Sequence, residues 1–306
     1  MKNELAPIVL FVYNRPDHTK KVLESLSLNK EARNSLLYIV CDGIKENSTE
    51  ENTLNINEVR KIADEENRFQ EVKVIKHSSN NGLAKSIIEG VTNLFNKHDR
   101  LIILEDDLVT SPYFLNYMNN SLNVYQDDTE VVCISGYVYP IKKKLPETYF
   151  IKGADCWGWA TWKNKWSIFN KNGEDLLNKI ETQGLQNDFD FDSSYPYTQM
   201  LKDQVLGYNN SWAIRWYASS FLKHKYCLYP GVSLVQNIGI DGSGTHSGIS
   251  NSWDVNLSKT AINIVKQPAI ENKLAKKQFI KYFNSLKKVN KNNGILNYIK
   301  NYIKSE

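Results

Sequence analysis

Through the first 110 residues, short apolar runs alternate with stretches whose apolar residues recur at helical spacing. Pro7–Tyr13 reads PIVLFVY and is followed by Asn14-Arg15-Pro16-Asp17, which predicts a buried strand and its turn. A helix capped by Asp17 or Thr19 then places Val22, Leu23 and Leu26 on one face. Ser35–Cys41 predicts a second strand ending in Asp42-Gly43, and the polar stretch from Lys45 to Asn57 reads as a loop before a helix through Val59 and Ile62. Val72–Ile75 is a third strand. After the turn Asn80-Asn81-Gly82, residues Ile87, Ile88, Val91, Leu94 and Phe95 fall at helical spacing. Arg100–Leu104 is a fourth strand, and it runs into Glu105, Asp106 and Asp107. Strands alternating with helices predict an α/β, Rossmann-like fold, with a mostly parallel central sheet and helices on both faces.

Past Ser111 the pattern changes. Val131–Ser135 predicts a strand, Tyr149–Ile151 is another candidate, and an aromatic block, GADCWGWATWKNKW, follows. Gly184–Ser194 is polar and loop-like, a helix spans about Trp212 to Lys223, and a strand lies near Tyr226–Leu228 before the glycine-rich GIDGSGTHSG. In the tail, Leu274, Phe279, Tyr282, Phe283, Leu286 and Val289 share one helical face. Ile295, Leu296, Ile299, Tyr302 and Ile303 repeat that pattern after Asn292-Asn293-Gly294, predicting two helices with a loop between them.

Charge alters this picture only at the tail. Nine lysines lie between Glu271 and Glu306 with no other acid among them. The overall +4 therefore belongs to the tail, and a nucleic-acid-binding core is not indicated. The lysine-rich face predicts two alternatives: peripheral contact of residues 273–304 with an anionic membrane, or an apolar side that covers the protein's own sheet with solvated lysines outside. Cys41, Cys133, Cys156 and Cys227 are scattered without a CxxC pair, so reduced thiols in a cytoplasmic protein are the expectation. The apolar run Ile8–Tyr13 is too short for a signal segment, and no stretch reaches the roughly 20 apolar residues of a membrane span.

The chemistry concentrates at LEDD. Three adjacent carboxylates repel unless water or a positive charge compensates them, and these follow a strand on the edge where open α/β sheets bind ligands. Clustered carboxylate oxygens suit Mg²⁺ or Mn²⁺, although a solvated acidic turn is the plainer alternative. Lys85 opens the helix after Gly82, where it either faces phosphate or is an ordinary solvated lysine. Asp42 is either a hydrogen-bond acceptor for a base N–H or the first residue of a plain Asp-Gly turn. Arg15 follows a strand end on the same edge. Trp157, Trp159, Trp162 and Trp166 either form a wall for sugar stacking or belong to the core, with at least two expected to be structural.

Taken in order, PIVLFVYNRP, YIVCDG, NNGLAKSI, LEDD, CWGWATW and GTHSG resemble the motifs of nucleotide-sugar-dependent glycosyltransferases of the GT-A fold. The likeness is to inverting family 2 and to the GlcNAc-transferases of N-glycan branching. It implies a GT-A domain over residues 1–250, with a nucleotide-binding half at 1–110 and an acceptor half at 111–250, and a basic helical extension over 251–306. It implies transfer from a nucleotide diphosphate sugar, UDP-linked by expectation, to a hydroxyl of a glycan or lipid-linked glycan, as in bacterial surface polysaccharide assembly. Asp107 would be the direct ligand of Mn²⁺ or Mg²⁺, with His246 as a further metal or phosphate contact. Glu105 and Asp106 would contact the ribose or metal-bound water, Asp42 the base, and Arg15, Gly82 and Lys85 the diphosphate side. Trp157 and Trp159 would meet the acceptor.

An inverting transferase needs a carboxylate base, and here the resemblance fails. The branching enzymes carry acids in a Trp-Asp-Asp-Trp segment, whereas this chain has Ser211-Trp212-Ala213-Ile214-Arg215-Trp216. Asp203 and Asp155 are the substitutes nearest in sequence. Two other readings remain open: an inactive GT-A domain that binds a glycan or partner enzyme, and a sugar nucleotidyltransferase. The latter is disfavoured because Asn14-Arg15-Pro16-Asp17 has no glycine.

Overall fold

The computed structural model describes residues 5–242 and 251–292, without the side chains of 288–292. Its strands are β1 (Ile8–Val12), β2 (Leu36–Cys41), β3 (Glu71–Lys76), β4 (Arg100–Glu105), β5 (Leu108–Thr110), β6 (Val131–Ser135), β7 (Thr148–Lys152), β8 (Trp159–Trp162), β9 (Tyr226–Pro230) and β10 (Val235–Asn237). Eight of them form one sheet in the order β3-β2-β1-β4-β8-β6-β9-β7. The pairs β3/β2, β2/β1, β1/β4 and β6/β9 are parallel, while β8 and β7 run against their neighbours. The chain is thus an α/β protein with a large, mostly parallel mixed sheet.

Alternation along β1 explains its unbroken apolar sequence. Val9 and Phe11 enter a core with Ile87 and Val91 of the helix Leu83–Leu94, while Ile8, Leu10 and Val12 enter another with Val22 and Leu23 of the helix Pro16–Ser27. A strand covered by helices on both faces has no solvent side to leave polar. One continuous sheet spans both the 1–110 and 111–250 segments.

Several local expectations change. The first helix begins at Pro16 with Arg15 at its N-cap and no side-chain cap, so neither Asp17 nor Thr19 opens it. Proline suits a first helical position because its φ is preset and its missing N–H would be unpaired there anyway. The polar 45–57 stretch is half helical: Glu50–Glu65 is one helix, capped by Thr49, whose hydroxyl accepts from the Asn52 N–H. Only Ile56, Val59 and Ala63 of that helix are buried, too sparse a stripe for periodicity to reveal. Within the expected 184–194 loop lies a short helix, Gln186–Phe189, followed by Phe191, Asp192 and Ser193 at φ of 50°, 52° and 58°.

The described part of the tail lies on the body of the protein. A single helix, Lys273–Asn292, follows a segment that pairs with the edge strand β7 through the Phe150–Glu271 bridge. Ala275, Phe279 and Phe283 are buried, and the Phe279 ring meets Tyr139 at 4.8 Å and Tyr229 at 5.5 Å between centroids. The apolar side formed by these residues is covered by this chain's own aromatic residues. The second predicted segment, Ile295–Ile303, lies outside the described residues. No helix among the described residues is long and apolar enough to cross a membrane.

Because Phe279 is fully buried among rings, Phe279→Ala is expected to cost about 3–5 kcal/mol in urea unfolding. A loss under about 1 kcal/mol would mean that this helix does not dock as described.

Candidate functional site

The chain passes from β1 out to β2 and β3, then crosses back to place β4 on the other side of β1. Between the carboxyl ends of β1 and β4 lies the point where strand order reverses, the usual ligand position of an open α/β sheet. Arg15 follows β1 there and Glu105-Asp106-Asp107 follow β4. The Arg15 guanidinium donates to Asp106 Oδ1 and, at 3.1 Å, to Asp107 Oδ2, and the Tyr13 N–H donates to Asp106 Oδ2 at 3.4 Å. Burial works to lower the Arg15 pKa, but the two carboxylates outweigh it and keep the guanidinium charged.

A second element clasps this cluster. β5 and β10 pair antiparallel, and the Ile238 N–H donates to the Asp107 carbonyl at 2.8 Å. At Gly239 a Cβ would stand 2.4 Å from Asp107 Oδ2 and 2.9 Å from Arg15 Nη1, so a side chain here would have to displace the Arg15–Asp107 pair.

One guanidinium facing three carboxylates leaves negative charge uncompensated. Burial, and then the Asp107 and Asp106 charges, push the Glu105 carboxyl up to about 8, against the pull of Arg15. No three His, Cys, Asp or Glu side chains among the described residues already converge as a metal site. The cluster nonetheless fits a hard divalent cation in donor type and in charge, since its oxygens are carboxylate and the excess is negative. Asp107 and Glu105 are the members that would hold such an ion, because Asp106 is committed to Arg15 and Tyr13.

Asp42, at the end of β2, has a different part from the one expected. Its Oδ1 accepts from the N–H groups of Gly43 and Asn81, both at 2.8 Å. Its Oδ2 accepts from Asn80 Nδ2 and the Gly82 N–H, both at 3.0 Å. An ionised carboxylate offers about four acceptor positions, and all are taken by this chain. Asp42 therefore clamps the Asn80–Gly82 turn. Gly82 is left at φ 73° as the N-cap of Leu83–Leu94. Lys85 is exposed and does not line the cavity, whereas Ala84 and Ser86 of the same turn do.

The cluster opens into a cavity of about 630 Å³. At one end lie Tyr13, Lys45, Asn80 and the acids; the other end is an aromatic recess that includes Tyr139, Trp157, Tyr195, Tyr197, Tyr229 and Trp253. Asp155 also lines it. Its Oδ1 accepts from the N–H groups of Cys156 at 2.6 Å and Trp157 at 3.3 Å, and its Oδ2 accepts from the Tyr229 hydroxyl at 2.9 Å. Burial raises the Asp155 pKa against these hydrogen bonds, which makes it a stronger base than an ordinary aspartate.

Asp203 is buried but does not line the cavity; its Oδ1 accepts from Gln199 Nε2 at 2.8 Å. Met200, one turn earlier on the helix Tyr197–Val205, lines the cavity where Asp203 does not reach it. Trp159 is fully buried, stacked on Trp212 at 5.4 Å, and Trp162 and Trp166 are buried as well. Of the four expected tryptophans, Trp157 alone faces the cavity. His246 lies outside the described residues. The unexpected liners are the tyrosines of YVY (137–139) and SYPY (194–197), whose alternate spacing was the available signal.

The raised Glu105 pKa has a consequence for metal-free protein. The folded chain holds a proton there that the unfolded chain has released between about pH 4.5 and 8, so this group's contribution to stability falls as pH rises through that window. Glu105→Gln is expected to flatten that fall and to raise the melting temperature at the upper end. An identical pH profile in the variant would show Glu105 to be an ordinary solvated acid.

In comparisons with protein family models and with curated proteins, no match to this chain was found.

Proposed function

We propose that this chain is a glycosyltransferase that moves a sugar from a nucleotide diphosphate donor to an acceptor hydroxyl, with inversion. The observation that carries the reading is the junction of two unlike ends in one cavity: an acidic cluster with Arg15 at the switch point, and an aromatic recess holding the half-buried Asp155 carboxylate. The first suits a nucleotide diphosphate with its cation, and the second suits a sugar ring. The six motifs in order add to it.

Each group has a task in this reading. Mn²⁺ or Mg²⁺ held by Asp107 and Glu105 would supply Lewis acidity to the departing diphosphate. Arg15, kept charged by its carboxylates, contributes positive charge near the phosphates, and the Asp42 clamp fixes the turn beneath the donor. Asp155 takes the proton from the acceptor hydroxyl as that oxygen bonds to the anomeric carbon and the bond to the diphosphate breaks. The Tyr229 hydroxyl holds Asp155 Oδ2 and orients it. Asp203, away from the cavity, is not assigned a step.

Two features favour a second reading, nucleotide binding without turnover. Asp106 and Asp107 are already neutralised in part by Arg15, and the helix Trp212–Leu222 reaches the cavity through Trp212, Ala213 and Ile214 without an acid. Hydrolysis of UDP-sugars with Mn²⁺ separates the two: slow turnover is expected, and binding without turnover under every acceptor supports the second.

Asp107→Ala is expected to remove the Mn²⁺-dependent part of UDP binding in calorimetry while the fold persists; unchanged metal-dependent affinity rejects the assignment. For Asp155→Asn, turnover should drop by about 10²–10⁴-fold with UDP affinity retained, and Asp203→Asn should stay near wild type. The reverse pattern would move the base to Asp203.

A further inference from the structure

The aromatic recess has no single structural parent. Tyr139 follows β6, Trp157 precedes β8, Tyr195 and Tyr197 belong to the segment after the Gln186–Phe189 helix, and Trp253 lies beyond β10. Three of them, Tyr139, Tyr195 and Trp253, share a backing. Tyr282 stacks on Tyr139 at 5.4 Å and meets Trp253 at 5.7 Å, and Phe283 meets Tyr195 at 4.8 Å and Tyr139 at 4.9 Å. Neither Tyr282 nor Phe283 lines the cavity. Both belong to the C-terminal helix Lys273–Asn292.

That helix also holds a strained piece of backbone. Phe191, Asp192 and Ser193 are consecutive non-glycine residues in the left-handed region, a conformation that persists only where its surroundings over-determine it. Within its own segment the Asp188 and Asn187 carbonyls accept from the N–H groups of Phe191 and Ser193, and the helix supplies further contacts. Phe279 stacks on Phe191 at 6.1 Å, Phe283 meets it at 5.6 Å, and Lys287 Nζ donates to the Ser193 carbonyl at 2.6 Å. Lys276 pairs at 2.5 Å with Asp188, just before the turn.

The charges of the recess are equally specific. Of the cations lining the cavity among the described residues, Arg15 and Lys45 lie at the acidic-cluster end, and Lys152 is paired with Asp188 at 3.0 Å. Asp155 is the acid. A carboxylated or phosphorylated ring would meet the half-buried Asp155 carboxylate with no uncommitted cation among these to answer it. An uncharged ring can lay its apolar face on the aromatic side chains and reach the tyrosine hydroxyls with its own.

We infer that the recess is a subsite for an uncharged sugar ring, and that the helix Lys273–Asn292 sets its shape by bracing Tyr139, Tyr195 and the left-handed Phe191–Ser193 turn. Naming that sugar the acceptor rests on the transferase reading; the binding itself does not. Phe283 and Lys287 are positioning residues, acting through the wall and not touching the ligand.

The test uses the full-length chain and saturation-transfer NMR with two probes, methyl N-acetylglucosaminide and the anionic methyl glucuronide, with UDP and Mn²⁺ binding measured in parallel. The neutral glycoside should bind, and the glucuronide at least about tenfold more weakly. Phe283→Ala and Lys287→Met should each weaken the neutral glycoside by about three- to tenfold and speed hydrogen exchange over residues 190–198. UDP binding should not change in either, and Lys287→Arg should restore what Lys287→Met loses. Should Phe283→Ala not fold, the Lys287 pair carries the test, since it alters one surface hydrogen bond. Equal binding of the two glycosides, or none of the neutral one, overturns the ligand class; wild-type sugar affinity in the folded variants overturns the bracing. Absence of UDP binding with the glycoside pattern intact would overturn only the transferase reading.

Discussion

A guanidinium held between two carboxylates at the reversal point of a parallel sheet is the constraint around which this molecule is arranged. Like charges on consecutive residues cannot be brought toward a protein interior without a counter-charge, and Arg15 supplies it from the neighbouring strand. For the pair to form, β1 and β4 must be adjacent and in register, which sheet pairing from Ile8 with Ile102 to Phe11 with Glu105 provides. Gly239 must then come close enough to leave no room for a side chain. Three distant parts of the chain meet at one charge.

The rest of the cavity follows a different logic. Its acidic end is built from strand ends and a clamped turn, where position is dictated by the hydrogen-bond ladder. Its aromatic end is built from side chains that converge from loops, and their placement depends on a helix far along the sequence. A rigid end and a braced end suit a protein that must hold a charged group in fixed geometry while shaping a surface for a ring. The raised pKa values of Glu105 and Asp155 have a common origin in burial, but only the first is raised further by neighbouring acids.

The strands that build the sheet were legible because a doubly covered strand must be apolar along its whole length, and Pro7–Tyr13, Ser35–Cys41 and Arg100–Leu104 are. The same local reading placed the acids at the carboxyl end of β4 and Arg15 after β1. It caught only the second half of the helix Glu50–Glu65, whose buried stripe is thin, and passed over the pair β5/β10, whose strands of three residues each carry no periodicity.

What the sequence alone determined is which residue types stand at strand ends, since burial of successive residues is a local property with a local signature. What only tertiary structure decided is which of them face a ligand. Asp42 has the right address, yet its carboxylate is filled by donors from the Asn80–Gly82 turn 38 to 40 residues away. Asp155 and Asp203 are equivalent as letters, and only the fold puts the first in the cavity and leaves the second outside it, with Met200 of its helix lining the cavity instead. The aromatic face of the tail could serve a membrane or its own protein until the recess beneath it is seen, because an amphipathic stripe records that something apolar covers it and does not record what.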